Sequence, residues 1–440
     1  MAGLKIVQTG QADFEAQWRQ LLQKLTLESA LLDDTQRLEQ VRKIVTQVRT
    51  GGDRAVAELT AQFDRVELRP EEFRIPEQDL KQVHERMDAK LLEALRLSIA
   101  NVRDYQEKIK VRQITDWTKN GVQLGVRYRP IRRVGVCVPG ASAPLVSTVI
   151  MTAVPAQVAG VKEIAIISAP KPEHNNSIHP DILGVCRELG IWEVYRISGA
   201  QAVAALAFGT ETIPKVDKIV GPSSWWGQLA KKEVYGLVDI DSFAGPSEVL
   251  ILADDSANPV WVAADMLSQA EHAPGSAVLL TDSEMLAGTV AREIDNQLSQ
   301  LARSVETQQC IAEFCLAVVA KDMNEVVQLA NEFAAEHLQV QCRDSDAIAE
   351  RIINAGAIFI GHSTPVATGD YIAGPSHTLP TGGSAKFFSA LNVNDFIKQS
   401  SIISYEEQAL KTTAPAIETM AKAEGLDAHA KSVTKRVTGL

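Results

Sequence analysis

The sequence predicts an α/β protein with two parallel, doubly wound domains, an N-terminal helical segment and a C-terminal helical arm. From Arg132 onward, short β-rich runs alternate with helical stretches. The connections between them are short, so the helices themselves serve as crossovers between parallel strands. The alternation comes as two successive series, and 440 residues are enough for two or three separate cores.

Before that point, residues 1–110 read as helices. "LEQVRKIVTQVRTGGDRAVAELTAQFDR" has apolar residues at helical spacing, and Gly51-Gly52 breaks it into two helices. "DAKLLEALRLSIANVRDYQEKI" repeats the pattern. The first series then runs strand "RVGVCVPG", helix "APLVSTVIMTAVPAQVAG", strand "EIAIISAP", helix "HPDILGVCRELG", strand "EVYRIS", helix "GAQAVAALAFG", strand "KIVGP", helix "SSWWGQLAKKEVYG" and strand "LVDI". The second opens with strand "EVLILAD" and helix "NPVWVAADMLSQAEHAP", then strand "AVLLTD" and helix "EMLAGTVAREIDNQL". It continues with strand "CLAVVA", helix "MNEVVQLANEFAAEH", strand "LQVQC", helix "DAIAERIINAG" and strand "AIFIG". Two Rossmann-like sheets follow from this order. From Thr364 the chain is irregular and rich in Gly, Pro and Ser, and a helical arm closes it over Tyr405 to Val437. The implied boundaries are 1–27 for the N-terminal segment, 28–131 with 248–390 for one α/β domain, 132–247 for the other, and 391–440 for the arm.

Composition narrows the function. With 45% apolar and 22% charged residues the chain is ordinary for a globular protein. A formal charge of -11 argues against a general binder of nucleic acid or anionic membranes, because phosphate binding needs clustered Lys and Arg. Five scattered cysteines without a C-x-x-C pair fit reduced thiols in a cytoplasmic enzyme. No signal peptide is visible, and the apolar stretch from Leu145 to Val161 is too interrupted to span a membrane.

Neither series carries G-x-G-x-x-G, so a standard dinucleotide fingerprint is absent. The turns "VPGAS", "SGAQA" and "GPSSW" lie at strand ends, where backbone N–H groups of a helix start can approach a phosphate. Any β–α turn can hold glycine, so each is a weak signal taken alone.

The polar chemistry concentrates late in the chain. "LSQAEHAPG" puts Gln269 and His272 about one helical turn apart, just before a Pro-Gly break. "AEH" recurs at Ala335–His337, "TGDYIAGPSH" holds Asp370 and His377, and "AEGLDAH" holds Glu424 and His429. Ser247 and Glu248 open the strand of "DIDSFAGPSEVLILAD", where Ser247 can donate to a polar ligand between the two sheets. Two readings compete. Histidine suits a helix C-terminus, and exposed Glu-His pairs often do no more than solvate. Alternatively, Gln, His, Asp and His are N and O donors suited to one Zn²⁺. Their spacing matches no H-E-x-x-H or paired-cysteine pattern, so it leaves open whether the four meet in space.

These segments resemble the histidinol dehydrogenase family. "DIDSFAGPSEVLILADDSANPVWVAADMLSQAEH" is similar to its signature region, and "FAAEHL", "GDYIAGPSHTLPT" and "AEGLDAH" follow in the family's order. The resemblance runs from about residue 30 to the C-terminus. It implies oxidation of L-histidinol to L-histidine through an aldehyde, with two NAD⁺ and one Zn²⁺ per site, at the end of histidine biosynthesis. It also implies a homodimer with exchanged C-terminal arms, and a pair of incomplete Rossmann-like domains similar to aldehyde dehydrogenases. On this resemblance the metal ligands are Gln269, His272, Asp370 and, from the other subunit, His429. His337 is the base in both steps and Glu336 activates water. Ser247, His377 and Glu424 bind the substrate's polar groups beside the metal ligands and His337, with Ser147 nearby. Most of these lie in the domain 28–131 plus 248–390, and 132–247 forms the nucleotide side with Cys137, Gln201 and Ser224.

The chain departs from the family's pattern at Cys137, where an aromatic residue is usual, and at "GPSS", where "GPGN" is usual. Both departures fall on the nucleotide side. The adjacent Trp225-Trp226 pair is expected to pack between sheet and helix, with stacking on the nucleotide as the alternative. Three other functions stay open. A zinc- and NAD-linked dehydrogenase of another polar alcohol would not need Glu424 and His377. A zinc hydrolase using Glu336 would form no NADH. A silent binding protein would not need Glu336 and His337 side by side.

Overall fold

The structure is a computed structural model and describes residues 3–26, 35–112, 117–140, 144–272, 275–301 and 303–439. Position 274 of the Pro-Gly break and positions 141–142 of "VPGAS" lie outside the described residues.

Strands β1 (Lys5–Gln8), β2 (Trp117–Lys119) and β3 (Val122–Pro130) precede the two alternating series. The first series contributes β4 (Arg133–Val138), β5 (Glu163–Ser168), β6 (Glu193–Tyr195), β7 (Lys218–Val220) and β8 (Asp239–Ile240). They form one parallel sheet in the order β6-β5-β4-β7-β8. The second series contributes β9 (Ser247–Ala253), β10 (Gly275–Thr281), β11 (Leu316–Val319), β12 (His337–Gln341) and β13 (Ala357–Ile360). With β1 they make a six-stranded parallel sheet ordered β1-β11-β10-β9-β12-β13. Last comes β14 (Ile397–Tyr405), antiparallel to β3 over its full length, with β2 on the other side of β3.

Both parallel sheets are covered on their two faces, which is why their strands read as apolar runs. Val134, Val136 and Val138 of β4 face the helices 77–85, 89–109, 146–159 and 180–188. Cys137 alternates to the other face, under the helices 35–64, 199–208 and 225–234. In the second sheet Val249 and Ile251 pack under the helices 259–270, 284–298 and 304–314, while Leu250 and Leu252 meet 14–25 and 323–333. Each apolar side chain sealed this way contributes roughly 1.5–3 kcal/mol.

The two-sheet order and the break at Gly52, which takes φ 55°, follow the sequence reading. Several features differ from it, the separate β2–β3–β14 sheet among them. Lys5–Gln8 is a strand, held at the edge of the six-stranded sheet by β11. Ser304–Phe314 is an added helix. The helices between Thr35 and Ile109 pack chiefly on the five-stranded sheet, through Val41, Val48, Leu80 and Val102, instead of joining residues 248–390. Residues 3–26 are the ones that complete the six-stranded sheet, through Leu4, Val7 and Trp18.

All five cysteines are buried and unpaired. Among the described residues no helix is long and apolar enough to cross a membrane.

Candidate active site

Strands β9, β10 and β12 begin side by side, with Gly275 opposite Ser247 and His337 opposite Val249. Ligands of open α/β sheets usually bind outside the carboxyl ends of the strands. Here the six-stranded sheet gathers its polar side chains at the amino ends. The helix Pro259–Ala270 carries Gln269, and His272 two residues beyond its end, to the same edge, where β10 begins at Gly275. Gly275 permits that close approach: a Cβ there would run into the Gln269 carbonyl oxygen. Gly356 does the same beneath Glu336, whose carbonyl oxygen would lie 2.6 Å from an added Cβ.

Glu336 and His337 are both buried, at 6% and 4% exposure. The Ser247 hydroxyl donates to Glu336 Oε2 at 2.6 Å, and the Glu248 backbone N–H donates to the same oxygen at 2.8 Å. His337 Nδ1 lies 3.0 Å from the Glu248 carbonyl oxygen and 3.5 Å from Glu336 Oε2. A carbonyl can only accept, so Nδ1 carries the proton and Nε2 points elsewhere. Nε2 is buried without a hydrogen-bond partner among the described residues, 3.6 Å from Asp370 Oδ1. Burial opposes a charge on His337, but the carboxylates of Glu336 and Asp370 outweigh it and hold the imidazole pKa up to about 10. Any ligand that takes up Asp370 removes one of those two charges.

His337, Asp370 and His377 line one cavity of about 160 Å³, closed on one side by Phe359. His377 is fixed at both nitrogens, Nδ1 against the Asp370 carbonyl at 3.1 Å and Nε2 against Thr148 Oγ1 at 3.2 Å. Burial lowers its pKa, so it is the neutral member of the histidine pair. Ser147 is buried at the start of the helix Val146–Ala159, next to Thr148. The loop carrying His377 ties the two sheets together: the Ser376 hydroxyl donates to Met151 O, and Thr381 Oγ1 accepts from Gly245 N–H.

Gln269 is 3% exposed and its side-chain N–H group has no partner among the described residues, whereas His272 is exposed. Among the described residues, no three His, Cys, Asp or Glu side chains are grouped to hold a metal. Glu424 and His429 are exposed on the arm, and among the described residues their side chains make no hydrogen bond or ion pair. The arm is rooted elsewhere, on the β3–β14 ladder, where Glu406 N–H meets the Gly121 carbonyl. One chain thus joins Ser247, Glu336, His337, Asp370 and His377 and leaves Glu424 and His429 apart from them.

A second pocket of about 330 Å³ opens at the carboxyl ends of the five-stranded sheet, between Cys137, Gly140, Ser168, Ser198 and Ser224. Burial pushes the Cys137 thiol up to about 12, which makes it inert. Gln201 is buried and its side-chain amide donates to Asp64, which also accepts from Ser198. Trp225 and Trp226 pack on the core of this sheet, and Trp226 stacks on Phe63. Beneath the pocket, the buried Lys231–Asp241 ion pair holds both the N–H and the carbonyl of Gly221. Sequence reasoning missed that pair and Thr148; a lone Lys or Thr inside a helix carries no outward signal of burial.

A family model described as histidinol dehydrogenase matches residues 28–437. The histidinol dehydrogenase of Rhodopirellula baltica is 46% identical over 399 residues, covering 91% of this chain and 86% of its own length. That of Aquifex aeolicus is 47% identical over 397 residues, 90% of this chain and 91% of its own. The crystal structure of histidinol dehydrogenase from Elizabethkingia anophelis matches with a TM-score of 0.91 at 32% identity, covering 99% of this chain and 98% of the other. The family match and these relatives place the chain among the oxidoreductases. It belongs to the histidinol dehydrogenase family.

Proposed function

We propose that the protein oxidises L-histidinol to L-histidine in two steps, each passing one hydride to NAD⁺. The observation that carries this is the buried Glu336–His337 pair, whose His337 lines the cavity shared with Asp370 and His377. An alcohol loses a hydride from carbon and a proton from oxygen, so the first step needs a base. His337 is the candidate, through Nε2, since Nδ1 is committed to the Glu248 carbonyl; it acts as a base once a ligand takes up the Asp370 charge that holds its pKa high and the imidazole releases its own proton. The aldehyde must then gain water before it can lose a second hydride. Glu336, held by Ser247 and the Glu248 N–H, is placed to take a proton from that water.

Gln269, His272 and Asp370 would hold a Zn²⁺, with His429 supplied by the arm of a second copy. The buried Gln269 amide is not tied down through its nitrogen, which leaves it able to present its oxygen to a cation, and amide-oxygen, imidazole and carboxylate ligands suit that ion. When bound, the ion supplies a fixed charge that orients the substrate's imidazole and amine. Glu424 on the same arm would bind the substrate, which makes the working unit an arm-exchanged homodimer of a cytoplasmic enzyme. The nucleotide would lie in the pocket lined by Cys137 and Ser224, with Gln201 buried behind Ser198 and bonded to Asp64 instead of lining it. The departures from the family fall at that pocket, and the catalytic edge keeps its full set. The hydrolase alternative has no use for the second pocket.

The test is NADH formed from L-histidinol and excess NAD⁺ by zinc-loaded protein, counted against histidine. Two NADH per histidine, lost with a chelator, is the expected result. No NADH while zinc and histidinol still bind would reject the reading at its cofactor end.

A further inference from the structure

Glu248 was left without a role by the reading above, although it touches both members of the pair. Strand alternation sends Ser247 to the face of β9 that carries Val249 and Ile251, and Glu248 to the opposite face with Leu250 and Leu252. There its carboxyl is almost wholly enclosed, at 1% exposure. Its backbone still meets the catalytic edge: the N–H donates to Glu336 Oε2 and the carbonyl takes His337 Nδ1. Its side chain returns the bond, with Oε2 accepting from the Glu336 backbone N–H at 3.4 Å. The other oxygen, Oε1, accepts from Gly382 N–H at 2.8 Å. Gly382 and Gly383 both adopt left-handed φ values, 60° and 75°, so this turn is a sharp one. It closes the loop that carries His377 and that Thr381 pins to Gly245.

A buried carboxyl with such partners is costly unless its acceptors are used. Burial and the neighbouring Glu336 push Glu248 up to about 8. It therefore enters the neutral range as an uncharged acid and adds no second negative charge beside Glu336.

Resting on the assignment of Glu336 and His337 as the reacting pair, we propose that Glu248 is a positioning residue. Its two acceptor oxygens lock the Glu336 backbone and the Gly382 turn, so that Glu336, His337 and the His377 loop share one rigid frame.

The test compares Glu248→Met with Glu248→Gln. The two side chains are close in size, but only glutamine keeps an acceptor for Gly382. Zinc-loaded variants are assayed with histidinol and NAD⁺, with melting temperature measured alongside. The expected result is a kcat loss of about ten- to a hundredfold in Glu248→Met with KM changed less than about twofold, and rescue to within about threefold in Glu248→Gln. A role confined to filling space would leave methionine as active as glutamine, and that outcome overturns the proposal. If Glu248→Met does not fold, Glu248→Asp takes its place: the carboxylate is kept but falls one methylene short. A kcat for Glu248→Asp equal to the parent's overturns the proposal, as does failure of both variants to fold. Glu336→Gln is run in parallel. Full activity there sinks the underlying assignment, whereas an inactive Glu336→Gln beside a fully active Glu248→Met sinks only the role of Glu248.

Discussion

Gln341 donates its side-chain amide to Asp265 at 2.7 Å, tying the strand that begins at His337 to the helix that ends at Ala270. Gln339 donates to the same carboxylate oxygen at 3.0 Å. His337, Gln339 and Gln341 share one face of β12, and Asp265 and Gln269 share one face of the helix. The two amide bonds therefore set the register between His337 and Gln269. Asp265→Ala leaves the Gln341 amide without its acceptor and Gln339 with only the Thr364 carbonyl at 3.4 Å, and is expected to cost roughly 1–3 kcal/mol in chemical denaturation. If Gln269 is a zinc ligand, the same variant should also lose about ten- to a hundredfold in zinc affinity, read by chelator competition. Lost stability with unchanged zinc affinity would separate this network from the metal.

Ser247 supplies one of the two hydrogen bonds given to Glu336 Oε2. Ser247→Ala leaves the N–H of Glu248 alone to orient that carboxylate. A lost hydrogen bond to a charged group is worth about 1.5–3 kcal/mol, so the step that uses Glu336 should slow by about tenfold or more. Single-turnover runs started from histidinol and from the aldehyde would distinguish the steps. The aldehyde run should suffer more; equal slowing of the two would remove Glu336 from water activation.

Glu248 also makes a pH prediction with a definite sign. Its carboxyl is raised from 4.5 to about 8 by burial first and the Glu336 charge second. The folded chain keeps this proton where the unfolded chain has lost it, so the associated stability is full below about pH 4.5 and declines as pH rises to about 8. Glutamine mimics the protonated acid at every pH. The difference in unfolding free energy between parent and Glu248→Gln should therefore move against the parent across that window. A difference independent of pH would show that the carboxyl is ionised throughout.

Ala334 ends the helix Met323–Phe333 in the left-handed region, at φ 56° and ψ 58°. That conformation costs a non-glycine residue about 1–2 kcal/mol, part of which glycine gives back as entropy. Ala334→Gly is expected to raise stability by up to about 1 kcal/mol without changing kcat, since Ala334 touches the chemistry only through the chain. Lower activity in this variant would mean that the taut turn helps to hold Glu336.

The twin "AEH" tripeptides show how far the sequence could be read. At 270–272 the helix runs out into an open turn, and Glu271 and His272 are exposed. At 335–337 the helix has already stopped at Phe333, so Glu336 and His337 enter a buried strand. Identical residues thus acquire different chemistry from the element that follows them, which no local pattern reveals. The alternating series were legible because their strands are covered on both faces and read as apolar runs. The β3–β14 ladder was not: "IKQSSIISY" is largely exposed, and its pairing with residues 122–130 spans most of the chain. The packing of the helices between Thr35 and Ile109 was hidden for a related reason, since an amphipathic stripe does not say which sheet it will cover.

Gly275 and Gly356 have no side chain to offer a substrate, yet each lies against a carbonyl of the proposed catalytic edge, that of Gln269 and of Glu336. A saturation library scored for activity would then mark both positions as intolerant as Glu336 itself. Intolerance in such a map would trace how closely the backbone is folded on itself as well as which atoms react.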